Sequence, residues 1–444
     1  MLNKDQASER AQAAVERAVA NGAEAADANF IANEALSVAV RLGALEEVER
    51  SEGAELTLRV FLGRKSASVS TSELTDTALD TLAERAVRMA REASEDRWSG
   101  LAPADRLLHG SPPALDIDDG ADVSPETLKE RAMEAEAAAR AVDGVTNSEG
   151  AGASASRSVV ALATSHGFAH GYAATHHAVS ASVVAGKGSG MQRDHASHAT
   201  RHESALEAPG DIGARAGERA VSRLNPARLS SGTMPVVFDP RIGASLIGAF
   251  VGAISGGRIA RRTSFMQDML GKRVFAPGIT LRDDPHRPRG LRSRPFDGEG
   301  LPVSPTVIVE DGMLETWLLD SASARQLDLE PTGHGGRGGG IATSNLYMDV
   351  GNITPTALIE DIEHGVWVTE LIGQGVNPVT GDYSRGAAGF LIEGGEITRP
   401  VAEITIAGNL KTMFLAMTPA NDLRFRYGVN VPSLRVDGMT VAGD

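Results

Sequence analysis

Apolar residues recur at helical spacing over residues 7–20 and stop at Asn21-Gly22, a pair that favours a helix C-terminus. Three runs of strand character follow, at 26–32, 36–42 and 55–62, the last reading ELTLRVFL with apolar and polar positions alternating. A fourth run, 66–70, is small and edge-like. Residues 72–93 are expected to form a long helix, opened near Ser72 and Thr75 and carrying Leu74, Ala78, Leu82, Val87 and Met89 on its apolar side. Ser124-Pro125-Glu126-Thr127 is a second helix start, with Ser124 as cap and Pro125 in the first turn, and the alanine-rich stretch behind it runs to about Val142. The pattern then returns to strands at 153–164, 167–174, 178–185 and 191–200, an antiparallel series closed by a helix at 211–224.

The polar linker PARLSSG, residues 226–232, marks a boundary between domains at 1–225 and 233–444. A fresh strand begins at 235–238, and the remainder is glycine-rich and β-patterned with a single clear helix at 242–254. The expected fold class is α+β: an N-terminal domain with an antiparallel sheet and long helices, then a mostly-β domain with one buried helix. No regular internal repeat is visible.

At 444 residues the chain is too long for one ordinary core. Aromatic content is only 4%, so the cores must be filled with small and branched aliphatic residues, and stacking platforms for single-stranded nucleic acid are not expected. A formal net charge of -15 argues the same way, because it repels polyphosphates. Cysteine is absent, which removes disulfides, thiol nucleophiles and Cys-ligated metals at once. The charged N-terminus lacks the apolar core of a signal peptide, and no stretch approaches a membrane span, so a cytoplasmic protein with no membrane association is expected.

Seven of the 11 histidines fall between His166 and His202. His195, His198 and His202 would share a helical face, but the segment reads as a strand, which turns His195 to one side and the other two to the opposite one. His166, His170, His176 and His177 sit in similar β sequence, so surface histidines are expected rather than a metal site. His202-Glu203 begins H-E-x-x-H, but Leu206 occupies the second histidine position. The helix between Gly243 and Gly257 has no ionisable side chain, and Arg258, Arg261 and Arg262 after it are placed to complement its C-terminal dipole. Gly333 to Gly340 has the glycine density of an anion-cradling loop or a mobile rim but lacks a P-loop ending.

The densest signal runs from Gly373 to Leu410, where glycine turns are bracketed by β-type runs and Asp382, Tyr383, Ser384, Arg385, Gly386 and Asn409 stand as candidate groove residues. An Arg385–Asp382 ion pair stiffening a turn is the structural alternative.

Together these words resemble the TldD/PmbA family, in its PmbA or TldE branch. The resemblance is carried by VGAISGG at 251–257, RRTSFMQDMLGKRVF at 261–275, PFDGEG at 295–300, TWLLDSASARQLDLEPTGHG at 316–335, VTELIGQGVNPVTGDYSRGAAGFLIEGGEI at 368–397 and PVAEITIAGNL at 400–410. It implies a two-domain subunit that pairs with a homologous subunit in a peptidase acting on unstructured peptides. In the TldD branch an H-E-x-x-x-H helix and a downstream Cys hold zinc. Laid on this chain, those positions are Ile247, Gly248 and Gly252, none of which can bind a metal. The resemblance therefore implies a subunit with no cofactor and no catalytic residue of its own, whose zinc resides on a TldD-type partner, with the 373–410 sheet offering main-chain hydrogen bonds to an extended peptide. A homodimeric peptide-binding or regulatory protein, and a self-sufficient metallopeptidase using the histidine cluster, are the alternatives.

Overall fold

A computed structural model describes residues 1–443 of the chain. Its first half is built on an antiparallel sheet of six strands, β1 (Ala25–Arg41), β2 (Ala44–Leu62), β3 (Lys65–Thr71), β4 (Val145–Thr164), β5 (Ala169–Ala185) and β6 (Gln192–Thr200), in the order β3-β2-β1-β4-β5-β6. The runs 26–32 and 36–42 are one strand, not two, because β1 is bonded along both edges, to β2 and to β4, and the polar pair Asn33-Glu34 between them breaks neither ladder. The same applies to 167–174 and 178–185, which merge into β5. β2 begins well before the alternating run: residues 44–53 are exposed and mostly polar, and only pairing with β1 makes them a strand.

Helices α1 (Lys4–Ala20) and α2 (Asp76–Glu92) cover one end of this sheet, with alanines and leucines meeting Phe30, Leu56, Leu58 and Val60. Asn3 and Thr75 cap their N-termini, so α2 starts at Asp76 and not at residue 72 as its pattern suggested. Helices α3 (Pro125–Arg140) and α4 (Pro209–Ser222) cover the other end. They approach closely because Gly213 and Gly217 face α3; a Cβ on Gly213 would stand 1.9 Å from the carbonyl oxygen of Ala135. Buried Glu136 of α3 accepts the amides of Leu42 and Gly43 at 2.6 and 2.8 Å and so fixes the β1–β2 turn.

The second half holds strands β7 (Gly232–Phe238), β8 (Leu281–Asp284), β9 (Thr306–Glu310), β10 (Met313–Leu314), β11 (Asn345–Met348), β12 (His364–Ile372), β13 (Asp382–Glu393), β14 (Glu396–Asn409), β15 (Met417–Pro419), β16 (Val429–Asn430) and β17 (Leu434–Ala442). Five of them form a small sheet, β10-β9-β8-β11-β16. The rest run β14-β13-β12-β7-β17-β15, and β14 also pairs with β17 through Thr405, Ile406 and Ala407. The sheet is thus closed into a barrel. Helix α5 (Pro240–Ala253), capped by Asp239, packs Leu246, Ile247 and Phe250 into the largest core of the chain. It is not the only helix of this half. Short helices α6 (Gly256–Ala260), α7 (Ser321–Leu327), α8 (Pro355–Ile359) and α9 (Leu410–Leu415) follow, each too brief for a periodic pattern to show.

The halves are joined by specific contacts. Arg325 of α7 donates to the carbonyls of Trp98, Leu101 and Gly100, each at 2.9 Å. Phe168 and Tyr172 of the first half meet Phe296 edge to face at 5.0 and 5.5 Å. No helix among the described residues is long and apolar enough to cross a membrane.

Candidate functional site

The three metal-site positions of α5 do not share a face. Ile247 is fully buried in the core, whereas Gly248 is exposed and Gly252 partly so, and a Cβ at either glycine would meet nothing within 4 Å. At 100° per residue, Arg241, Ser245, Gly248 and Gly252 line one stripe of the helix, open toward solvent and free of side-chain bulk along its last two turns. The residues present do not fit a zinc ion: they offer a hydrocarbon side chain and two hydrogens where imidazoles and a carboxylate would be needed. Arg258, Arg261 and Arg262 do not end α5, since α6 intervenes; Arg258 lies inside α6 and Arg261 caps it.

The glycine-dense segment is a strand pair, with the candidate groove residues on its strands and not in the glycine turns between them. Asp382 to Gly386 belong to β13, in register with Asn409 to Thr405 of β14. Asp382 and Asn409 are brought together: the Asn409 side-chain amide donates to Asp382 Oδ1 at 3.0 Å and to the Thr380 carbonyl at 3.1 Å, while Thr380 Oγ1 donates to Asp382 Oδ2 at 2.6 Å. The Asp382 carboxyl is lowered from its ordinary value by those Thr380 and Asn409 hydrogen bonds. The anticipated Arg385–Asp382 pair is not what stiffens this turn. Tyr383 is buried, its hydroxyl lacks a partner, and burial pushes it up to about 12 against the opposing charge of Arg385. The Arg385 Nε is likewise buried and unbonded, Ser384 is exposed, and Gly386 faces Ile372.

Main-chain addition of a peptide is blocked along β13. β13 is flanked by β14 on one side; on the other, residues 375–377 fold onto it, with Ser384 N donating to Gly375 O at 2.7 Å and Asn377 N to Asp382 O at 2.8 Å. Gly375 permits that approach, since a Cβ there would lie 1.5 Å from the Ser384 carbonyl oxygen. A closed barrel with its rim folded over has no free ladder here.

The histidine cluster is dispersed. His166 bonds the Ala102 carbonyl, His198 accepts the Glu207 amide through Nδ1 at 3.1 Å, His202 meets the carbonyl of Asp116, and His195 is exposed. Burial lowers His170 and His176. His177 is buried beside Asp119 at 3.1 Å; burial raises that carboxyl, but donation from the Glu203 and Ala121 amides and from His177 outweighs it and holds it at about 2. Glu203, the second letter of the broken zinc motif, is engaged by Arg131. Among the described residues, no three His, Asp or Glu side chains converge in metal-binding geometry.

The Gly333 to Gly340 turn is anchored rather than free. Its amides serve carboxylates of the chain: Gly335 donates to Asp297 at 2.9 Å and Gly340 to Asp320 at 3.0 Å. An anion cradle is therefore already filled from within. Beside it, Glu299 accepts both the amide and hydroxyl of Ser321, at 2.8 and 2.7 Å; burial and the neighbouring Asp297 push it up to about 7. Sequence reasoning missed this carboxylate, whose only signal was the word PFDGEG.

Comparison with known proteins bears on the whole length. Models of the PmbA/TldA metallopeptidase domain 1, central domain and C-terminal domain match residues 26–90, 118–224 and 231–443. The Escherichia coli O157:H7 protein named Metalloprotease PmbA is 39% identical over 410 residues, covering 92% of this chain and 90% of that protein. A Bacteroides thetaiotaomicron crystal structure, provisionally assigned as a modulator of DNA gyrase, superposes with a TM-score of 0.92 at 26% identity over 99% of both chains. The TldE structure from Thermococcus kodakarensis, 22% identical, shares the fold with a TM-score of 0.86 over 97% of this chain and 99% of its own.

Proposed function

This chain belongs to the PmbA/TldD metallopeptidase family, and on that premise we propose that it is the zinc-free subunit of a peptidase in which a TldD-type homologue supplies the metal. The observation that carries this reading is the surface of α5: where a metallopeptidase helix needs imidazoles and a general base, this one places a core isoleucine and two glycines. The histidines elsewhere offer no substitute, because no three His, Asp or Glu side chains converge among the described residues.

In this assembly the chain's own task is to bind and orient. The bare stripe at Gly248 and Gly252 lets another backbone come within contact distance, either an extended peptide or the partner's helix. Such a surface positions a substrate for groups held across the interface and contributes no acid, base or nucleophile. Unstructured peptides suit it, since only an unfolded backbone can lie along one helix face.

The test is metal analysis paired with turnover. The isolated chain is expected to hold far less than one zinc per polypeptide and to leave an unstructured peptide intact; mixing with a TldD-type subunit should start cleavage. Stoichiometric zinc with zinc-dependent hydrolysis by the chain alone would refute the reading.

A further inference from the structure

We propose that an arginine-walled cavity at the N-terminal end of α5 binds the free α-carboxylate of a peptide, anchoring its C-terminus so that the chain runs along the open stripe of the same helix. The proposal rests on the reading of this chain as a peptide-binding subunit and adds to it which peptides are taken and in which direction.

The cavity, about 240 Å³, is walled by Arg215 and Arg219 of α4, Arg241 of α5, and Arg424 and Arg426 from the segment before β16, with Ser197 of the edge strand β6 beside them. This concentration of cationic groups stands on a chain whose net charge is -15. Three of the arginines are balanced: Arg215 and Arg426 share Glu207, and Arg241 is held by Asp239 at 3.1 Å and Asp194 at 3.4 Å. The remaining acid of the wall, Asp422, is occupied by the amide and hydroxyl of Ser433, both at 2.8 Å.

Arg219 and Arg424 have no ion-pair partner among the described residues. Arg219 is half-buried and donates only to the His195 carbonyl; burial first, then the charges of Arg241 and Arg215, lower it against the opposing pull of Asp194 and Asp239. The same field acts on His198, lowered by burial first and then by Arg426 and Arg215. Two guanidiniums lining one cavity with no direct ion-pair partner, Asp194 and Asp239 acting on Arg219 without touching it, match a carboxylate, which accepts paired N–H donors.

Geometry ties the cavity to the helix. Arg241 begins the stripe that continues through Ser245 to Gly248 and Gly252, and Gly248 lies about 10 Å farther along the axis at 1.5 Å per residue. An extended peptide crosses that distance in about three residues. A carboxylate seated beside Arg241 therefore delivers its third or fourth residue from the C-terminus to the bare glycines.

The test uses the intact chain, titrated by calorimetry with one unstructured octapeptide as its free acid and as its C-terminal amide, and with inorganic phosphate alone. The free acid is expected to bind at least tenfold tighter than the amide. Arg219→Gln with Arg424→Gln, which strands no carboxylate, should abolish that preference without lowering Tm. Equal binding of acid and amide would overturn the proposal while leaving the peptide-binding reading intact, and binding of neither would overturn both. Phosphate binding as tightly as the free acid would identify a small-anion site and also overturn it. Loss of the preference together with a fall in Tm would be checked with Arg219→Lys and Arg424→Lys, expected to restore it in part.

Discussion

At Gly389 the backbone of β13 passes so close to β12 that a Cβ would lie 2.0 Å from the Trp367 carbonyl oxygen. The neighbour is main chain and cannot swing away, so Gly389→Ala is expected to cost about 3 kcal/mol or more, read as a shift of the urea midpoint. Glu299 makes a different prediction. Its folded pKa of about 7 stands above the ordinary 4.5, so the native state keeps a proton that the unfolded chain releases. Stability from this group is complete below pH 4.5 and is lost as pH rises through 7, by an amount on the order of 3 kcal/mol. Glu299→Gln removes the titration. Its stability relative to the parent should therefore be higher at pH 8 than at pH 5, and a constant difference across that range would show that Glu299 titrates normally.

Among the elements, α5 offers the sharpest contrast between stability and function. Glycine is a poor helix residue, and neither Gly248 nor Gly252 has anything for a Cβ to strike. Gly248→Ala with Gly252→Ala is expected to stabilise the isolated chain by about 1–2 kcal/mol in thermal unfolding. The same pair should slow peptide cleavage in the mixed complex, because the added methyls occupy the stripe where another backbone must approach. Unchanged cleavage alongside greater stability would mean that the stripe is never covered. Long helices with cap residues, such as those begun by Thr75 and Ser124, were legible from spacing alone. The barrel was not: β14 pairs with β17 through partners as far apart as Thr405 and Ala442, and no local pattern records which edges will meet.

For the molecule as a whole, the junction between halves decides whether it moves as one body. Arg325 spends its guanidinium on three carbonyls of the 98–101 segment. Arg325→Ala leaves those acceptors without donors and should cost about 2–4 kcal/mol, with faster amide hydrogen exchange from Trp98 to Leu108. Exchange unchanged in that segment would assign the docking to the Phe168, Tyr172 and Phe296 rings instead.

From residue types alone follow the α+β class, the main helices and the inability of Ile247, Gly248 and Gly252 to hold a metal, because periodicity and the presence or absence of a donor atom are local properties. The barrel's closure, the burial of Tyr383 and the Asp382–Asn409 pairing belong to the tertiary structure alone. So does the arginine cavity, whose walls come from segments near residues 197, 215–219, 241 and 424–426. Their juxtaposition is set by which ladders pair and which faces bury, and these are long-range choices that free energy makes over the whole chain at once.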